Sequence, residues 1–211
     1  MFTLENKTIL MVIAHPDDEV IFGWPILQNP NIKKKILCCS SDLNNPDRVW
    51  CKNRKLALEK ICTEIGVEKM ECLDYNSEFY RLQTRNEELK RMTGKIISNI
   101  EAMRPFDFIY THNFWGEYGH LDHILVNNIC FGLDENVVLS DILLKSNWIC
   151  DKPNKFLFRS EMGKGDLQKN IVLNHCLYDK LESIYRGFGV WTWSQPPAEK
   201  CSLKVFYKEE A

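Results

Sequence analysis

The chain reads as a single α/β domain with a mostly parallel sheet and helices on both faces. Three observations predict it. Short apolar runs alternate with longer amphipathic stretches through the first two thirds of the 211 residues, the order that builds parallel sheets from strand–helix–strand units. Two of those runs, 8–14 and 106–111, lead straight into clusters of histidine and carboxylate, and open α/β sheets bind ligands at such strand ends. A chain of this length can also bury one substantial core.

The first strand, 8–14, is apolar from Ile9 to Ala14 and ends before Pro16, which has no N–H for a sheet ladder. A short helical piece follows from Val20 and stops near Asn29-Pro30-Asn31. The second strand is 35–40, and after a polar loop a helix covers 47–65, with Val49, Leu56, Ile61 and Ile65 apolar and Gly66 as its stop. A brief strand at 70–73 delivers Asp74. The next helix, 85–103, buries Ile96, Ile97 and Ile100, and Pro105 precedes the strand 106–111. Beyond 133 the pattern is less regular. Strand-like runs stand at 137–139, 147–150 and 155–159, and 166–185 reads as a helix carrying Ile171, Leu173, Leu177 and Leu181. The aromatic run Phe188, Trp191 and Trp193 reads as core packing, and His175 as an ordinary helix residue. One domain over 1–211 is expected, with a core at 1–133 and an extension at 134–211.

Composition narrows the function. A formal charge of −2 gives no electrostatic reason to bind nucleic acid or an anionic membrane. Lys33-Lys34-Lys35 is the one basic run and fits a solvated turn. The nine cysteines are odd in number and hold no Cys-x-x-Cys pair, and Cys62, Cys72, Cys130 and Cys150 sit among apolar residues. That suits buried thiols in a reducing compartment. No secretory signal and no membrane span are read, so a soluble cytoplasmic protein is expected. A homo-oligomer is compatible with the sequence.

The chemistry lies in the two strand-end clusters. Ala14-His15-Pro16-Asp17-Asp18-Glu19 places an imidazole and three carboxylates within five residues. So much negative charge is unfavourable unless a cation neutralises it, and imidazole with carboxylate suits zinc. His112-Asn113-Phe114-Trp115-Gly116-Glu117-Tyr118-Gly119-His120-Leu121-Asp122-His123 holds three of the chain's five histidines. If the segment after Gly119 is helical, His120 and His123 share a face at the same sheet edge as His15 and Asp18.

Ala14 to Glu19 together with Gly119-His120-Leu121-Asp122-His123 resembles the PIG-L (LmbE-like) family of zinc-dependent de-N-acetylases. The likeness covers about the first 130 residues. It extends to Arg54, twelve before Gly66 as in the family's Arg…Leu-Gly helix, though Ile65 replaces the Leu, and to Asp74, which follows the third strand as the family's substrate-binding acid does. The resemblance implies a Rossmann-like core and removal of an N-acetyl group from an N-acetylated amino sugar or its conjugate. It implies that His15, Asp18 and His123 hold one Zn2+ per chain (Fe2+ being an alternative), and that Asp17 is the general base for a zinc-activated water. For Tyr118 and His120 it suggests oxyanion stabilisation or protonation of the leaving amine. Arg54 and Asp74 are expected to hold substrate. Trp115, beside Phe114, is the candidate sugar platform, and Glu19 and Asp122 are expected to orient ligands.

The residues read by themselves agree with this. Three protein ligands leave a zinc position open, and Asp17, preceding a ligand, cannot easily point along the same line as Asp18. Three rivals stand beside this reading. His120 as a fourth ligand makes a closed structural zinc site without catalysis. A metal-dependent phosphoesterase usually spreads more ligands over the chain. A nucleotide-binding module fails for want of a Gly-x-Gly-x-x-Gly turn, and because Asp17 and Asp18 repel a pyrophosphate.

Overall fold

The computed structural model describes residues 3–41, 47–75, 86–142 and 167–208. In chain order the elements are β1 (Thr8–Ile13), α1 (Asp18–Ile21), α2 (Trp24–Leu27), β2 (Lys33–Ser40), α3 (Arg48–Glu64), β3 (Lys69–Tyr75) and α4 (Asn86–Ala102). They continue with β4 (Phe108–Thr111), α5 (Gly116–Gly119), α6 (Leu121–Phe131), β5 (Val137–Ser140), β6 (Leu167–Val172), α7 (His175–Gly187) and β7 (Lys200–Phe206). The strands form one sheet in the order β3-β2-β1-β4-β5-β7-β6. The first five pair in parallel, while β7 runs antiparallel to both β5 and β6.

Strand alternation sorts the side chains into two apolar layers. Ile9, Met11 and Ile13 of β1 and Ile36 and Cys38 of β2 pack with Ala57, Leu58 and Ile61 of α3 and with Tyr178, Leu181 and Tyr185 of α7. Leu10, Val12, Leu37 and Cys39 turn the other way, onto Met92, Ile96 and Ile100 of α4 and Leu125, Val126 and Ile129 of α6. Both faces are thus covered, as the apolar runs require. Asp47 caps α3 by accepting from the Trp50 amide at 2.9 Å, and Gly66 follows its end at φ 69°.

The C-terminal part differs from the sequence expectation. Residues 167–172 form β6 and the helix begins only at His175. Asn174 explains the boundary, because its side chain accepts from the Leu177 amide at 3.2 Å and caps α7. The runs 147–150 and 155–159 lie outside the described residues, as does Cys150. Of the named cysteines, Cys62, Cys72 and Cys130 are buried free thiols. Among the described residues no helix is long and apolar enough to cross a membrane.

Candidate active site

The order of the sheet reverses between β1 and β4, so the crevice for a ligand opens beyond their C-terminal ends. Residues 14–19 leave β1 into this crevice and residues 112–123 leave β4 into it. The two loops are tied directly. The Ala14 amide donates to His112 Nε2 at 2.9 Å, and His15 Nε2 lies 2.9 Å from Asp122 Oδ2.

Asp18 is the hub. Buried at the start of α1, it accepts from the His15 amide at 2.8 Å through Oδ2. That oxygen is 3.4 Å from His15 Nδ1 and 3.4 Å from His112 Nε2, and Oδ1 is 3.4 Å from His123 Nε2. Burial opposes ionisation here, yet the surrounding histidines hold the Asp18 carboxyl well below the usual range. Asp122 and Asp18 together overcome the burial of His15 and raise it to about 9. For His123 burial prevails and lowers its pKa.

Glu117 fixes the second loop. Its Oε2 accepts from His112 Nδ1 at 3.0 Å and from His123 Nδ1 at 2.8 Å, and its Oε1 accepts from the Asn113 amide at 2.9 Å. Burial alone raises a carboxyl pKa, but His112 and His123 outweigh it and bring Glu117 down to about 2. The residue sits at φ 57°, inside a kinked α5. Gly116 before it is also at φ 57°, and a Cβ there meets His123 Cβ at 3.2 Å. Only glycine lets the loop come this close to α6.

These residues suit a cation. His123 Nε2 is buried without a hydrogen-bond partner and stands 3.4 Å from a carboxylate oxygen. Two lone-pair atoms at that separation repel unless a proton or a cation lies between them. His15, His120 and His123 each bring one ligand atom within 4.8 Å of the others, and so do Asp18, His112 and His123. Neither triad is the expected set His15, Asp18 and His123, whose members are split between the two with His123 in both; Asp18 nonetheless lies 3.4 Å from a ring nitrogen of each of the other two. Nitrogen and carboxylate donors of this kind suit Zn2+ or Fe2+.

Asp17, adjacent to the hub, has other surroundings. It adopts φ 106°, rare for a residue with a side chain. Its Oδ2 receives Arg54 Nη2 at 2.9 Å and the Thr192 hydroxyl at 2.9 Å, and its amide donates to Glu19 Oε2 at 3.0 Å. Burial raises the Asp17 pKa, partly offset by the Arg54 charge. Arg54, expected to hold substrate, is buried, donates also to the Pro16 carbonyl and lies 4.8 Å above the Trp50 ring.

These groups line a cavity of about 170 Å³, whose wall includes His15, Asp17, Asp18, Arg54, Tyr118 and His120. Phe22, Thr192 and Trp193 complete it. A larger cavity of about 300 Å³, between Leu4, Pro25, Ile32 and Ile171, is lined by no titratable group, so the chemistry points to the smaller one. Tyr118 stacks on Phe22 with ring centroids 6.0 Å apart. Burial and the nearby acids push its phenol up, which keeps it a proton donor. His120 is not a helix residue facing His123 one turn on, as the spacing suggests. It is the N-cap of α6, accepting from the Asp122 amide at 3.2 Å. Its ring nevertheless comes within 4.8 Å of His15 and 4.6 Å of His123. Burial, with His123 and His15 adding, lowers its pKa to about 3.

Two expected substrate residues lie elsewhere. Asp74, near the end of β3, is exposed and accepts from Ser41 Oγ at 3.4 Å. Trp115 packs with Phe114 against Val137 and Leu139. Glu19 contacts the Asp17 amide and the Tyr185 hydroxyl rather than a ligand, whereas Asp122 meets His15 as expected. Glu117, His112, Thr192 and Trp193 were not picked out from sequence. Glu117 and His112 could have been, since both stand in the acid- and histidine-rich stretch.

A family model described as "PIG-L: GlcNAc-PI de-N-acetylase" matches residues 10–132. Among curated proteins, "Uncharacterized protein L374" of Acanthamoeba polyphaga mimivirus is 24% identical over 134 residues. That match spans 59% of this chain and 57% of the mimivirus protein, little more than half its length. Among solved structures, the A40926 pseudoaglycone deacetylase Dbv21 superposes with a TM-score of 0.63 at 12% identity, covering 98% of this chain and all of that one. The N,N'-diacetylchitobiose deacetylase from Pyrococcus horikoshii gives 0.49 at 16% identity, covering 92% and 75%. At such identities the superposition with Dbv21 establishes a shared fold.

Proposed function

This chain belongs to the PIG-L family, and we propose that it is a metal-dependent hydrolase that removes the N-acetyl group from an N-acetylated amino sugar or its conjugate. The observation that carries the reading is the unpartnered, buried Nε2 of His123 beside Asp18, in a cavity whose wall also holds Asp17. The names of the family model and of the solved structure that shares this fold, Dbv21, both deacetylases, support the reaction class.

His15, Asp18 and His123 hold the cation in this reading. A bound Zn2+ or Fe2+ supplies Lewis-acid polarisation of the amide carbonyl and makes a water acidic enough to lose its proton near neutral pH. Asp17 takes that proton, having its charge clear of the Asp18 hub and a pKa raised toward the working range. The hydroxide adds to the carbonyl carbon, and Tyr118, held protonated, donates to the oxygen that gains charge. His120 has Nδ1 occupied by the Asp122 amide, so its Nε2–H is a neutral hydrogen-bond donor that joins Tyr118 on the oxygen that gains charge, and the proton Asp17 took passes to the departing amine as the C–N bond breaks. The products are acetate and the free amino sugar. Arg54 lies in the cavity wall and stays a candidate for holding substrate; Asp74 and Trp115 are proposed to act, if at all, on parts of the substrate outside the cavity. A cytoplasmic location and one ion per chain complete the proposal.

Metal analysis with acetate release tests it. His15→Ala, Asp18→Ala and His123→Ala each lose most of the bound ion. His120→Ala keeps it and loses turnover of N-acetylglucosaminyl compounds. The closeness of His120 to His15 and His123 favours one rival, a closed structural site with four ligands. That rival requires His120→Ala to strip the ion as thoroughly as His123→Ala does.

A further inference from the structure

Thr192 lies outside the family-matched region, 175 positions from Asp17, and its place follows from how α7 ends. Gly189, at φ 71°, forms a Schellman turn: the Val190 amide donates to the Tyr185 carbonyl at 3.0 Å and the Gly189 amide to the Arg186 carbonyl at 2.9 Å. The buried Val190 seals the turn, and Asn53 Nδ2 of α3 donates to the Phe188 carbonyl at 3.2 Å. The chain is thereby sent back across the cavity mouth between two anchored indoles. Trp191 packs 5.9 Å from the Tyr185 ring, and Trp193 lies 5.9 Å from Phe22 and 5.3 Å from Tyr118.

Between those anchors Thr192 is itself exposed, so core packing gives no reason for its residue type. Its hydroxyl supplies one, donating to Asp17 Oδ2 at 2.9 Å. Arg54 donates to the same oxygen. A carboxylate turns easily about its last torsion; two donors on one oxygen stop that turn and leave the other oxygen clear.

We propose that Thr192 is a positioning residue, which with Arg54 holds Asp17 Oδ2 so that Oδ1 is the atom presented to the reacting water. This rests on the reading of Asp17 as general base. The step it serves is balanced: Oδ1 gains the proton, and the oxygen that loses it forms the new bond to carbon.

The test uses the zinc-loaded full chain and the N-acetylglucosaminyl compound that the wild type hydrolyses fastest. Thr192→Val lowers kcat about tenfold, the order expected for losing one hydrogen bond to a charged group, with KM and bound zinc as in the wild type. Thr192→Ala gives the same ratio, so a poorly folded Val variant does not decide the matter. Thr192→Ser restores most of the lost rate. In an Asp17→Asn background Thr192→Val has no further effect. The inference is overturned if Thr192→Val turns over like the wild type, or if Ser fails as Val does. It is equally overturned if KM alone rises, or if the loss repeats in full in the Asp17→Asn chain. A wild type inactive on every compound removes the deacetylase reading and this role with it. An active wild type matched by Thr192→Val removes only the role.

Discussion

Two glutamates, one in each loop of the crevice, are buried alike and ionise oppositely. Glu19, after β1, is pushed up to about 8 by burial, with the Asp17 charge adding. Glu117, after β4, is brought down to about 2 because two imidazoles donate to it. Burial sets the same cost for both, and the partners decide the sign. The first loop is therefore held by a carboxylic acid between the Tyr185 hydroxyl and the Asp17 amide. The second is held by a carboxylate that ties two histidines. The second kind of support suits a histidine whose Nε2 is to face a cation, because a carboxylate that takes the Nδ1 proton fixes the tautomer and leaves the Nε2 lone pair in place.

The comparison can be broken most forcefully at Glu117. Glu117→Ala leaves two buried imidazole N–H groups and the Asn113 amide without their acceptor, at a cost of about 3–5 kcal/mol. Urea unfolding reads it as a large drop in midpoint at unchanged m-value. A loss below about 1 kcal/mol means that the histidines do not depend on this carboxylate.

Glu19 gives a smaller effect, with a sign that Glu117 cannot mimic. Between pH about 4.5 and 8 the folded chain keeps a proton on Glu19 that the unfolded chain has lost. Stability from this group therefore falls as pH rises through that window. Glu117 does the reverse: its contribution is present above about 4.5 and is lost as pH falls toward 2. In chelator, the Tm of Glu19→Gln should gain on the wild type by a few degrees from pH 4.5 to 8, on the order of 1 kcal/mol or more. A constant difference across that range contradicts the assignment. The smallest effect is expected at Trp115→Phe, a change in the second loop but outside the cavity, which leaves kcat/KM within about twofold. A larger loss brings that ring back to the substrate.

Much of this was legible in sequence. A short apolar run such as Ile9 to Ala14, too brief for a helix and stopped by Pro16, fits a strand buried on both faces, and the helices covering those faces followed from 3.6-residue spacing. The contiguous cluster from His15 to Glu19 announced its own chemistry. What stayed hidden is what depends on long-range geometry. Leu167–Val172 read as helix together with the i, i+4 series Leu173, Leu177 and Leu181 that follows it, and only the pairing with β7 makes the segment a strand. Lys200–Phe206 alternates polar and apolar residues from 200 to 205, a strand signal present in the sequence but absent from the expectation. Asn174 was the local clue to the boundary, and its capping role was overlooked. Thr192 could not be found at all, for a lone threonine between two tryptophans carries no signal until the turn at Gly189 sets it over Asp17.

The two adjacent aspartates have different surroundings: Asp18 is held among histidines, and Asp17 is held by Arg54 and Thr192. Asp17→Asn tests directly whether they also do different work, with zinc content and acetate release measured on the same sample. The expected result is zinc occupancy near that of the wild type with kcat lower by about 10²–10⁴-fold, the usual contribution of a general base. Full zinc with a near wild-type rate would contradict the account, since the proton would then be leaving by another route.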